Sequence, residues 1–240
     1  VAAGFNTTNW SIVVKAGSYD SSEARAALAS LCESYWYPVY AFIRRRGHSP
    51  ADAEDLTQGY FARFLEKGYA RQVDPDRGRF RAFLLTSVRN FLHNERAHAR
   101  ALKRGGGRKL LSLDAASVEG RFETASLEKT TPEAAYEQAW AESVLTRALE
   151  RLERSLRRTD RDRYPLLRAF LTGREPSEPY SRLAERWGVA ESSVRVAVHG
   201  LRKRFGHVLR EEVRQTVKDD ADVDDELRHL LAVLGGSAGH

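Results

Sequence analysis

Apolar residues recur every three or four positions through almost the whole chain, and no segment alternates convincingly with a period of two. A period near 3.6 gathers apolar side chains on one face of a helix, whereas a strand needs every second residue. Leu28, Leu31, Tyr35, Val39 and Phe42 mark a first helix, in which Pro38 removes one backbone hydrogen bond and predicts a kink. Ser49-Pro50-Ala51-Asp52 opens a second, with Ser49 as N-cap, Pro50 in the first helical position and Asp52 placed for a capping box. Its inward face is Ala53, Leu56, Tyr60 and Phe64. After a turn at Asp74-Pro75-Asp76-Arg77-Gly78, a long third helix from about Phe80 to Lys103 carries Phe83, Leu84, Val88, Phe91 and Leu92. The pattern predicts an all-α fold.

Gly105-Gly106-Gly107 ends that helix, since successive glycines keep too much backbone freedom to stay helical. The polar residues that follow read as a linker with little structure. Thr131-Pro132-Glu133 restarts a helix, with Trp140, Val144, Leu145, Leu149, Leu152 and Leu156 on one side. A further helix around Tyr164–Leu171, a loop broken by Gly and Pro, and a helical pair come next. These features predict two helical domains joined by a flexible linker. The expected divisions are an extension at 1–20, a first domain at 21–104, a linker at 105–130, a second domain at 131–216 and an acidic tail at 217–240.

Hydrophobic residues make up 42% of the 240, enough for real cores. No stretch approaches the ~20 apolar residues of a membrane span. The opening VAAGFNTTNWSIVVKAG lacks a charged n-region, so a soluble, cytoplasmic protein without a secretory signal is expected. The single cysteine, Cys32, excludes an internal disulfide and any multi-thiolate metal site, and reads as a small buried hydrophobe. With the histidines scattered, neither a metal ion nor another cofactor is expected.

Charge is sorted along the chain. The net charge is +6, but Arg79–Lys109 holds nine Lys/Arg against one acid, while Asp219–Glu226 holds six acids and no base. Such sorting suits a surface for nucleic acid.

Residues 180–201 read YSRLAERWGVAESSVRVAVHGL. Counted from Tyr180, a small residue (Ala184) falls fifth, Gly188 ninth and Val194 fifteenth. Ala184 allows close helix approach, Gly188 permits a left-handed turn, and Val194 returns the second helix to the core. Leu183, Trp187, Val189 and Val198 are expected to fill the space between. The pattern predicts a helix-turn-helix whose second helix presents Ser192, Ser193, Arg195, Val196, His199, Arg202 and Lys203 to a DNA groove. Ala190 stands where a Ser or Asp cap would ordinarily begin that helix.

DAEDLTQGYFARFL (Asp52–Leu65) and DPDRGRFRAFLLTSVRNFLHNERAHAR (Asp74–Arg100) resemble region 2 of bacterial sigma factors of the sigma-70 family. The helix-turn-helix resembles their region 4. Two domains in this order with a linker between them resemble the extracytoplasmic-function type, and the likeness runs from Leu28 to Leu209. It implies a non-catalytic promoter-specificity subunit that binds RNA polymerase core, through the β′ clamp helices and the β subunit, and then promoter DNA. An anti-sigma protein is a further partner of many family members; no membrane is involved.

The resemblance also implies residue roles. Asp52, Asp55, Leu56 and Gln58, with Phe61 nearby, match the helix that docks on core polymerase. Asp74–Arg79, with Arg77 and Arg79, matches the loop that captures an extruded base of the −10 element, and Phe80 is the expected stacking ring. Arg81, Arg89, Asn90, His93, Arg96 and Arg100 lie along the helix behind it. Arg195, Val196, His199 and Arg202 match the positions that read the −35 element. Ala197, Gly200, Asn94 and Gly59 depart from common family residues, which bears on promoter sequence.

Two other functions compete. A stand-alone helix-turn-helix regulator would carry a sensing or dimerisation domain in its N-terminal half, where a run of cations has no evident use. A nucleic-acid enzyme would need clustered carboxylates or a positioned nucleophile. The acids at 52, 54 and 55 lack a partner cluster, and Asp219–Glu226 reads as a solvated tail or as an internal mask folded onto the second domain.

Overall fold

A computed structural model describes residues 22–66, 79–101, 115–124, 130–156, 158–172 and 178–236. Among these residues the regular structure is helical, with one isolated bridge between Arg79 and Val217 and no strand, as the periodicity predicts. Packing divides the chain into two units, Val1–Ser143 with Val213–His240, and Val144–Glu212.

The first unit is built around α1 (Ser22–Arg45). From Tyr35 to Ile43 every residue of α1 is buried, so this stretch is enclosed on all sides rather than along one stripe. The helix continues through Pro38. It ends at Gly47, whose φ of 88° lies in the left-handed region glycine tolerates. Helix α2 (Pro50–Glu66) then starts with the expected capping box. The Asp52 amide donates to Ser49 Oγ at 3.1 Å, and the Ser49 hydroxyl donates to Asp52 Oδ2 at 2.7 Å.

Helix α3 (Phe80–Ala101) supplies Phe80, Leu84, Val88, Phe91 and Leu92 to the same core. Rings meet edge to face there, Tyr35 with Phe80 at 4.9 Å between centroids and Tyr60 with Phe91 at 5.5 Å. Cys32 is buried among these helices, and burial first, with the nearby Glu33 charge second, pushes its thiol up to about 12.

The stretch expected to be an unstructured linker contains a helix, α4 (Ala115–Thr124). Phe122 is buried, and the Arg44 guanidinium sits 5.1 Å above its ring. The anchoring partners lie on α1, far away in sequence, so local polarity concealed the helix. Helix α5 (Pro132–Ser155) begins near the expected Thr131 cap, whose hydroxyl oxygen accepts from the Ala134 amide at 3.1 Å. Ala135, Tyr136, Ala139 and Trp140 of α5 are fully buried, and the first unit runs through this helix as far as Ser143.

The second unit takes in the remainder of α5, then α6 (Arg158–Leu167), α7 (Ala169–Thr172), α8 (Tyr180–Trp187) and most of α9 (Glu191–Arg214). Leu152, Leu156, Tyr164, Leu167, Leu183, Ala184, Val194, Val198 and Leu201 form its core. The Tyr164 hydroxyl is satisfied by donating to the Leu149 carbonyl at 3.1 Å.

The acidic tail, read from the sequence as a solvated run, has regular structure of its own. It folds as a short 3₁₀ turn (Asp220–Asp222) and α10 (Val223–Gly236), within the first unit. Val223, Glu226 and Leu230 recur every three or four residues along its inner face and are all buried. Leu231, one position beyond this face, is 59% exposed.

Candidate nucleic-acid interface

In the second unit, Gly188 closes α8 with φ 62° and ψ 36°, the left-handed conformation its place in the motif requires. Its amide and that of Val189 return to the carbonyls of Glu185 and Ala184 at 3.2 and 3.1 Å. Leu183, Ala184, Val194 and Val198 are buried as the motif predicts, and Trp187 packs against them from the edge. Val189 does not fill the space between the helices. It follows the left-handed glycine in the turn itself, and is 36% exposed.

Helix α9 has one buried face, at Val194, Val198, Leu201 and Leu209, and this phase turns the opposite face outward. Ser192, Ser193, Arg195, Val196, His199, Arg202 and Lys203 are all exposed there. Ala190 contributes only its carbonyl to the start of the helix, accepting from the Ser193 amide at 2.9 Å. Arg195 pairs with Glu191 at 2.6 Å and lies over the Tyr180 ring at 4.9 Å, yet its side chain stays 63% exposed. Arg202 Nε donates to the Phe170 carbonyl at 3.1 Å, which leaves its remaining N–H groups for an external acceptor.

The expected surfaces of the first unit divide differently. On α2, Asp52 and Asp55 are exposed and Leu56 is half-buried, whereas Gln58 and Phe61 are 7% and 1% exposed. Phe61 stands beside Tyr60 in the inward stripe, with ring centroids 5.1 Å apart, so it is a core residue rather than a docking contact. Gln58 donates to Glu54 Oε1 at 2.9 Å. On α3, Arg89, Asn90 and His93 are exposed, and Arg89 pairs with Glu133 at 2.7 Å. That hydrogen bond, ahead of the burial opposing it, holds the Glu133 carboxyl below its ordinary range. Arg77 and the loop at 74–78 lie outside the described residues, as do the side chains of Arg96 and Arg100.

Two expected −10 residues prove to be internal. Phe80 is fully buried, because it shares the helical phase of Leu84 and Val88 and meets Tyr35, Phe64 and Phe83. Arg81 is 7% exposed. Its Nε donates to Glu226 Oε1 of α10 at 2.9 Å, its Nη1 to Glu137 of α5, and its plane lies 4.8 Å from the Trp140 ring centroid. Burial alone would favour loss of the Arg81 proton; the Glu226 hydrogen bond and the charges of Glu137 and Glu226 outweigh it, holding the guanidinium firmly charged. Arg79 is 32% exposed in its side chain and faces Glu226 at 3.4 Å and Asp225 at 3.7 Å. The Phe80 amide donates to the Thr216 carbonyl at 3.2 Å. The C-terminal segment therefore holds the first turn of α3 by both backbone and charge. No signal in the sequence pairs Arg81 with a residue 145 positions away.

A second cluster, unforeseen in the sequence, ties α4 to α1. Arg44 donates to Glu119 at 2.6 and 3.0 Å, and the Tyr40 hydroxyl donates to the same carboxylate. The Arg44 hydrogen bond, against opposing desolvation and with help from Tyr40, holds the Glu119 carboxyl below its ordinary range. No group of His, Cys, Asp and Glu among the described residues could hold a metal ion, and no described helix is long and apolar enough to cross a membrane.

Residues 31–102 match the family model for Sigma-70 region 2. The match lies within the first unit and takes in the described parts of α1, α2 and α3 from Leu31 onward. No curated protein and no solved structure matches the chain.

Proposed function

With a Sigma-70 region 2 match at residues 31–102 as the premise, we propose that this chain is a promoter-specificity subunit of the extracytoplasmic-function type. The first unit docks on RNA polymerase core through the exposed carboxylates of Asp52 and Asp55 and the half-buried Leu56. It meets the −10 element through Arg89, Asn90 and His93, with Arg77, Arg96 and Arg100 as further contacts. The second unit reads the −35 element through Arg195, Val196, His199 and Arg202, while Ser192, Ser193 and Lys203 position the helix on phosphates. Promoter DNA and core polymerase are the partners, in the cytoplasm; an anti-sigma protein would act on one of these same surfaces.

The observation that carries this reading is the phase of α9. Its inner residues build a core, and each α9 residue expected at DNA is exposed, on the outer face or its flanks. Capture of core polymerase by the purified chain tests the docking role. Asp55→Ala combined with Leu56→Ala should weaken capture while leaving the helical circular-dichroism spectrum unchanged. Undiminished capture would remove α2 from the docking surface. Tight binding of duplex DNA by the chain alone, with no affinity for core, would instead indicate a stand-alone regulator.

A further inference from the structure

The outer face of α9 carries two features that the packing of its own unit does not require. Val196 stands 71% exposed. A branched apolar side chain gains nothing from water, and its restricted χ1 makes it a modest helix former. Gly200 lies four residues further along the same helix, so the two are neighbours on one face. Glycine inside a helix lowers its stability relative to alanine. Gly200 has no positive φ to justify it, since among the described glycines only Gly47 and Gly188 do. Nor does space justify it: a Cβ built on Gly200 would meet nothing within 4 Å. The protein's own fold thus accepts alanine here. What a missing side chain still offers is room for something arriving from outside.

The surroundings restrict what arrives. Arg195, His199, Lys203 and Arg204 are exposed on the same helix within five residues of the pair, and the acid of its first turn, Glu191, is taken up by Arg195. The occupant is therefore a polyanion that presents a small apolar group between its charges. Duplex DNA fits: phosphates line both walls of the major groove, and the thymine C5-methyl is the apolar feature on its floor.

We propose that Val196 is a specificity-determining residue that packs on a thymine methyl, and that Gly200 lets the helix backbone come close to the groove at that step. The inference rests on the proposed role of this helix at the −35 element and names the chemistry it reads there. Valine has no donor or acceptor, so its discrimination rests on the methyl alone. Cytosine lacks that methyl and presents an amino group instead.

Holoenzyme reconstituted from core polymerase and the full chain provides the test. Duplexes are selected from a randomised pool, and each thymine of the selected −35 element is replaced in turn by deoxyuracil, which removes only the methyl. At one position the loss should weaken binding about fourfold, the equivalent of one buried methylene. Val196→Ala should abolish that sensitivity, a coupling that a purely structural role would not produce. Gly200→Ala should raise the thermal midpoint of the chain yet weaken its binding to every selected duplex. Methyl removal without effect, or an unchanged penalty in Val196→Ala, would overturn the role of Val196. A more stable Gly200→Ala with unaltered affinity would overturn that of Gly200. Failure of the holoenzyme to select any −35 duplex would sink the promoter-binding role itself.

Discussion

Arg81 and Glu226 are both removed from water, and a charge so placed is tolerable only while its partner remains. Deleting one member of such a pair costs about 3–5 kcal/mol, and the continued presence of Glu137 puts Glu226→Ala near the lower end, at ~3 kcal/mol. Urea denaturation should register that loss. Replacing Arg81 and Glu226 together by Met and Leu should cost less than Glu226→Ala alone, because the charges left behind, Glu137 and Arg79, are part-exposed and keep His229 and Asp225 as partners. A double variant as unstable as the sum of the singles would contradict the pairing. Arg195 is the opposite case, exposed and held only by a surface pair, so its loss should spare stability. Arg195→Ala should instead relax −35 selectivity, by ~1–3 kcal/mol if the guanidinium contacts a base edge. An equal loss on all sequences in quantitative footprinting would assign it to phosphate. The contrast marks what a sequence discloses about single residues. The phase of α9 placed Arg195 outside, but Arg81 looked equally cationic and equally helical. Its acidic partners come from α5 and α10, and no local pattern encodes them. Phe80 is a different case. Its helical phase with Leu84 and Val88 was legible, and pointed inward.

At the scale of elements, periodicity and capping located α1, α2, α3 and the α8–α9 pair, because each has its own apolar stripe or cap. Helix α4 has little of either, and owes its place to Arg44 and Tyr40 on a remote helix. That dependence carries a pH signature. Glu119 is bound as a carboxylate, and its folded pKa is depressed, so its contribution is present above the unfolded value near ~4.3 and is lost as pH falls through the lower folded value. Amide hydrogen exchange in α4, corrected for the intrinsic pH dependence, should accelerate below about pH 4, while Glu119→Gln should already exchange faster at neutral pH. Protection that is indifferent to both would detach α4 from this carboxylate. Helix α10 follows the same logic as α4. Its acids look like a tail until Glu226 is seen to serve as a buried counter-charge, and its Val223–Glu226–Leu230 face places that carboxylate inside.

For the molecule as a whole, the sequence made the all-α class readable, since the helical period persists on both sides of the glycine run. Which residues pack together is a matter of tertiary contact: the C-terminal segment from Val213 belongs with the first unit, far from it in sequence. The proposed function joins the two units through a common target, one bearing the exposed carboxylates of α2 and the exposed cations of α3, the other the outer face of α9. Start-site mapping tests that union most directly, using core polymerase with the purified chain on a library of genomic fragments. The account predicts discrete start sites, absent with core alone, each preceded by two shared elements at a fixed spacing, with Arg195→Ala altering only the upstream one. Start sites identical with and without the chain would contradict it.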